Sequence, residues 1–168
     1  MVDLRQYVVD VPDFPKPGIL FRDISPLLRR HFDATIGAVE ALFNTEEWRA
    51  VDAVAGIESR GFIIASALAA RRDKGFVPIR KKGKLPPPVV DIAYDLEYGT
   101  GVLEMQAGEG RLLLVDDVLA TGGTLAASVA LSRQAGYDVC GIGVLIDIGI
   151  APGFRCDHHA PRVVLQYG

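Results

Sequence analysis

The chain has 168 residues, 49% hydrophobic and 23% charged, which suits one soluble globular domain over 1–168 with a core that needs no disulfide support. Its net charge of −3 and pI near 5.6 argue against a dedicated nucleic-acid or membrane-surface binder. No apolar run is long enough to span a membrane, the acid-bearing start (Asp3, Asp10, Asp13) shows no signal sequence, and two cysteines make no disulfide framework, so a cytoplasmic location is expected.

In chain order, PGILFRD (17–23) opens with a Pro-Gly turn and presents Phe21, whose ring could stack on a planar base for ~1–3 kcal/mol. Taken alone, Ile19, Leu20 and Phe21 read as core. His31 reads as a surface or cap residue. Residues 33–48 carry Ile36, Val39, Leu42 and Phe43 at helical spacing. VDAVAG (51–56) reads as a buried strand ending in Gly. RGFIIASALAARRDKG (60–75) reads as a helix with cations in its last turn and Gly75 as its stop. GFVPIRK (75–81) is a second strand. LPPPVV (85–90) must run extended. Residues 88–106 alternate weakly, as in a hairpin hinged at Gly99 and Gly101. RLLLVDD (111–117) is a buried strand. GGTLAASVALSRQAG (122–136) is a helix capped by Thr121 and stopped by Gly136. DVCGIGVLIDI (138–148) is a buried strand with Cys140 as an inert buried thiol. RVVLQY (162–167) is a last strand. CDHH (156–159) has metal-ligand residue types but no four convergent ligands, so no metal site is expected there.

Strands that read as continuous apolar runs, alternating with helices, predict an α/β fold with a central parallel sheet flanked by helices. Ligands of such sheets bind beyond the carboxyl ends of the strands. That singles out residues 57–60, 80–84 and 116–124. In LLLVDDVLATGGT (112–124) a strand delivers Asp116 and Asp117, and a helix starts after Ala120, Thr121, Gly122, Gly123 and Thr124. Such a turn aims backbone N–H groups and two hydroxyls at one point, which suits a phosphate. Carboxylates repel phosphate but suit sugar hydroxyls or a hydrated Mg²⁺. One loop could then grip both ends of a ribose 5-phosphate. It is neither a Walker loop nor a dinucleotide fingerprint.

VDDVLATGGT (115–124) resembles the signature of the type I phosphoribosyltransferases. DFPKPGILFRDISPLL (13–28), AGIESRGF (55–62), IRKKGKLP (79–86), LEYG (96–99) and LQYG (165–168) extend the resemblance, in order, to the members that act on adenine. The resemblance implies that fold, with a small N-terminal hood drawn partly from 1–25 and a flexible catalytic loop within 91–106. It implies synthesis of AMP and pyrophosphate from adenine and 5-phosphoribosyl 1-pyrophosphate, with Mg²⁺ carried mainly by the pyrophosphate, in a homodimer. It assigns Asp116, Asp117 and 120–124 to the phosphoribosyl group. Ser59, Arg60, Arg80 and Lys84 fall to the pyrophosphate, with Lys81 and Lys82 left on the surface. Leu20, Phe21 and Arg22 fall to the adenine. Glu97 is the implied catalytic residue, handling the purine N7 proton, and Tyr98 packs near the sugar. Two alternatives stay open: transfer to xanthine, hypoxanthine or orotate, and a regulator that keeps the sugar-phosphate site without chemistry.

Overall fold

The computed structural model describes residues 2–96 and 99–168. The chain divides into two compact units, Met1–Ala41 and Leu42–Gly168.

In the first unit, Asp3 caps a 3₁₀ turn over Leu4–Tyr7 by accepting the Arg5 N–H at 3.1 Å. Strands β1 (Val9–Pro12) and β2 (Leu20–Asp23) pair antiparallel. Between them the Ile19 N–H donates to the Lys16 carbonyl at 3.2 Å. Gly18, at φ +86, takes the left-handed position that such a turn reserves for glycine. Helix α1 (Ser25–Glu40) starts earlier than the spacing suggested, with proline in its first turn, a residue whose fixed φ suits that place. His31 is not a cap. It breaks the helical geometry inside α1 (φ −136, ψ 42), and its ring lies 4.1 Å from that of Tyr7.

The helix expected over 33–48 is therefore two helices. The second, α2 (Thr45–Ala50), belongs to the second unit. Asn44 and Glu47 form a reciprocal capping box there, each satisfying the other's backbone N–H, which restarts the helix at Thr45.

Among the described residues, the rest of the second unit is built on one seven-stranded sheet and two helices. In order these are β3 (Ala53–Ile57), α3 (Arg60–Arg71), β4 (Gly75–Lys81), β5 (Val90–Leu96), β6 (Gly99–Met105), β7 (Arg111–Leu119), α4 (Gly123–Gln134), β8 (Asp138–Asp147) and β9 (Arg162–Gln166). The sheet order is β5-β6-β4-β3-β7-β8-β9. Strands β4, β3, β7, β8 and β9 run parallel, and the β5–β6 hairpin joins β4 antiparallel. The hairpin forms as expected, but Gly101 is no hinge. It lies within β6 opposite Tyr94, and a methyl group there would fall 2.8 Å from the Tyr94 ring.

Alternate residues of the central strands face opposite sides. Ala55, Ile57, Leu112 and Leu114 cluster with Leu125 and Val129 of α4, while α3 packs on β3 and β7. Crossovers leave the centre in opposite directions, β3 to β4 and β7 to β8, so right-handed connections put the two helices on opposite faces. Gly56 does not end its strand. A methyl group there would lie 2.9 Å from Ala65 Cβ and from the Gly61 carbonyl oxygen, so this glycine lets α3 approach β3 closely.

Cys140 departs from expectation by being exposed. The apolar run concealed an alternation at the start of β8, where Val139 is buried and its neighbours Asp138 and Cys140 are not. Cys156 is buried in the apolar cluster, and burial pushes its thiol up to about 11. Among the described residues no helix is long and apolar enough to cross a membrane.

Candidate active site

The carboxyl ends of β3, β4 and β7 collect the polar residues that the strand-end rule singled out. Strand β7 carries Asp116 and Asp117, both buried. Helix α4 follows, but Thr121 does not cap it. Gly122 holds the cap position with φ +89, a left-handed conformation that strains any residue with a Cβ. A methyl group at 122 would also overlap the ring of Phe154. Helix α4 starts with no side-chain cap hydrogen bond and no acid in its first turn. Its leading N–H groups therefore present the positive end of the helix dipole without internal competition. A cavity of about 80 Å³ lies here, lined by Asp116, Val118, Leu119, Ala120, Thr121, Gly122, Thr124 and Leu125. Gly123 and Asp117 stand outside that lining. A methyl group on Gly123 would come 3.5 Å from the Asp95 carbonyl oxygen, so the end of β5 lies against the cradle.

The two aspartates have different surroundings. Burial raises the Asp116 carboxyl well above the usual range, and the Asp117 charge beside it adds to the effect. Its Oδ1 accepts the Asp117 N–H at 2.9 Å. Asp117 Oδ2 lies 2.7 Å from Arg60 Nε as an ion pair. That buried oxygen accepts no aligned hydrogen bond among the described residues, which leaves it able to receive one from a ligand hydroxyl. Gly61 allows this arrangement, since a methyl group there would lie 2.9 Å from Asp116 Oδ1.

The cations arrive on neighbouring strand ends. Arg60 is the first residue of α3, which also lacks a side-chain cap after Ser59. The Glu58–Ser59 peptide is cis. Glu58 Oε2 accepts Arg80 Nε at 3.3 Å and the Lys81 N–H at 3.0 Å. Arg80 also donates from Nη1 to the Lys84 carbonyl at 3.3 Å, and its guanidinium lies 5.7 Å from the Phe62 ring centre. Lys81 is exposed, and Lys82 makes a surface pair with Asp91 at 3.5 Å.

Sequence reasoning missed Glu58, Glu104 and Phe154. Glu58 stood inside the singled-out 57–60, overlooked beside the cations it holds. Glu104 was an acid set between Leu103 and Met105, a visible anomaly in a buried strand. Phe154 had no local signal.

Leu20, Phe21 and Arg22 lie on β2 in the first unit. Leu20 is 49% exposed, so the core reading fails for it. The Phe21 ring meets that of Phe14 edge-on at 5.2 Å, and Arg22 Nη1 pairs with Asp10 Oδ1 at 2.6 Å. Glu97 and Tyr98 lie outside the described residues.

The phosphoribosyl transferase domain matches residues 28–159. Adenine phosphoribosyltransferase from Hydrogenovibrio crunogenus is 52% identical over 165 residues, covering 98% of this chain and 96% of that protein. The chain belongs to the phosphoribosyltransferase family, among the adenine phosphoribosyltransferases. The family's crystal structures agree in fold. That of adenine phosphoribosyltransferase from Rhodothermus marinus is 43% identical, with a TM-score of 0.84 and coverage of 97% and 96% of the two chains. The Saccharomyces cerevisiae enzyme, complexed with an imino-altritol bisphosphate and adenine, is 31% identical with a TM-score of 0.88, covering 97% of each chain. The family match takes in the cation and cradle residues of the second unit.

Proposed function

We propose that this protein transfers the 5-phosphoribosyl group of 5-phosphoribosyl 1-pyrophosphate to adenine, giving AMP and pyrophosphate. The observation that carries the reading is the cradle: a buried pair of acids on β7, one of them facing Arg60, followed by a helix that starts uncapped at a left-handed glycine. Residues 120–124 hold the 5-phosphate, and Asp116 and Asp117 receive the ribose hydroxyls. Ser59, Arg60, Arg80 and Lys84 face the pyrophosphate. Phe21 stacks on adenine while backbone groups at Leu20 and Arg22 read its edge.

The purine nitrogen attacks the anomeric carbon through an oxocarbenium-like state with inversion. The carbon–oxygen bond to pyrophosphate breaks, and its electron pair leaves on the pyrophosphate oxygen. The cations stabilise that departing charge. As the purine nitrogen bonds to carbon, Glu97 takes up the N7 proton, and Tyr98 is assigned to the sugar. The hard oxygens of Asp116 and Asp117 suit magnesium. No group of three or more His, Cys, Asp or Glu side chains converges on one point among the described residues. The ion would be carried mainly by the substrate pyrophosphate. Bound there, magnesium supplies neutralising charge to the leaving group. Both cysteines are free thiols, which suits the cytoplasm.

The test is to mix the protein with magnesium, the sugar pyrophosphate and each purine in turn. AMP should form from adenine, and turnover on another base with none on adenine overturns the reading. Glu97→Gln should lower kcat far more than it raises KM for the sugar pyrophosphate. Unchanged turnover, with chemistry rate-limiting, removes Glu97 from the mechanism.

A further inference from the structure

We propose that Glu104 is a positioning residue for pyrophosphate capture, its buried carboxylate clamping the bend at 83–85 so that Lys84 is held beside Arg80 at the end of β4. The inference rests on the assignment of Arg80 and Lys84 to the pyrophosphate. Glu104 lies on β6 directly opposite Arg80 of β4 and is only 3% exposed. Its Oε1 accepts the N–H groups of Lys84 and Leu85, each at 2.7 Å. Gly83, at φ +84, turns the chain so that both N–H groups can reach one oxygen. The Lys82 N–H meets the Val102 carbonyl at 3.1 Å, so the strand pairing continues up to the bend. Arg80 Nη1 holds the Lys84 carbonyl from the other side. The peptide groups flanking Lys84 are thus tied at both ends.

A strand read as VLEM would pack more cheaply with an apolar residue at its third position. A buried charge persists only where bonds compensate its lost hydration, and here the bonds come from the loop that carries the cations. Burial raises the Glu104 carboxyl, but N–H donors at Gly83, Leu85 and Lys84 outweigh it and hold the group below its ordinary value. Charge-assisted bonds are about twice as strong as neutral ones. A neutral isostere therefore keeps the shape and slackens the grip.

The experiment measures equilibrium binding of inorganic pyrophosphate and of ribose 5-phosphate to the whole protein and to Glu104→Gln. Pyrophosphate affinity should fall about tenfold, the scale of one charge-assisted bond weakened, while ribose 5-phosphate affinity stays unchanged. Lys84→Ala should weaken pyrophosphate less in the Glu104→Gln background than in the native one. Equal weakening of both ligands marks a merely structural role and overturns the inference. Pyrophosphate binding that needs Lys84 but ignores Glu104→Gln overturns it too, leaving the pyrophosphate assignment intact. Binding indifferent to both Lys84→Ala and Arg80→Ala removes the assignment itself. Should Glu104→Gln fail to fold, amide exchange in the unaltered protein decides: Lys84 and Leu85 should be protected, and rapid exchange at both overturns the clamp.

Discussion

Asp116 carries a stability consequence at the scale of one residue. Its carboxyl is raised by burial first and by the Asp117 charge second. A carboxyl whose folded pKa exceeds its unfolded value of about 3.9 binds its proton more tightly in the folded state, so the fold weakens as pH rises between the two values. Asp116→Asn should therefore melt at a higher temperature than the native protein at pH 7. The gain should shrink as pH falls towards about 4. A lower melting point at pH 7 would mean that the charge on the bond from the Asp117 N–H contributes more than its burial costs. Asp117→Asn removes the charge facing Arg60 and one acceptor for a sugar hydroxyl. A charged hydrogen bond contributes about 1.5–3 kcal/mol, so KM for the sugar pyrophosphate should rise by roughly 10–100-fold. An unchanged KM would detach Asp117 from sugar capture.

At the scale of elements, Glu47 both caps α2 and ties it to β9. It accepts the Asn44 N–H at 2.8 Å and Arg162 Nη1 at 2.9 Å. The Arg162 hydrogen bond, followed by that from Asn44, lowers its pKa to about 2. A depressed carboxyl contributes stability that is full above its unfolded pKa of about 4.3 and is lost as pH falls through the folded value. Glu47→Gln should therefore melt lower at pH 7, and the gap should close between about pH 4 and 2. A gap that persists at pH 2 would assign the effect to packing.

This pair also shows why some element boundaries escaped the sequence reading. Helical spacing runs on through Leu42 and Phe43, whereas Asn44 and Glu47 restart the helix through hydrogen bonds that spacing ignores. Strand β4 has its expected limits because Gly75 and the cations fence it locally. Gly56 looked like a terminator because its purpose, contact with Ala65, is not written beside it.

Across the whole molecule, alternating strands and helices predicted the class of sheet but not its order. The β3–β7 pairing joins Ala53–Gly56 to Leu112–Val115, and nothing local marks the two as neighbours. The strand-end rule still pointed to one cluster of polar residues, because every parallel strand delivers its terminus to the same side. Glu58 and Glu104 left a trace in the sequence but not their partners, and Phe154 left none, because each acts on residues distant in sequence. Among the exposed apolar side chains of the second unit, Ile63 and Phe76 are 42% and 39% exposed, with Phe62 edge-on to Phe76 at 5.9 Å. A patch of this kind suits contact with a second copy of the chain. Sedimentation should give a species of twice the 18.1 kDa chain mass, and Phe76→Glu should halve it. A native monomer at micromolar concentration would exclude that dimer.

Phe154 comes from the connection between β8 and β9, yet its ring fills the space where a side chain at Gly122 would stand. The bend at Gly122 is therefore moulded partly by a distant stretch of chain. Transplanting only 112–134 into another parallel-sheet scaffold would carry the glycines without the aromatic wall that shapes them. A working graft must import that wall as well, and lengthening or shortening the β8–β9 connection should retune phosphate affinity without touching a single ligand-facing atom.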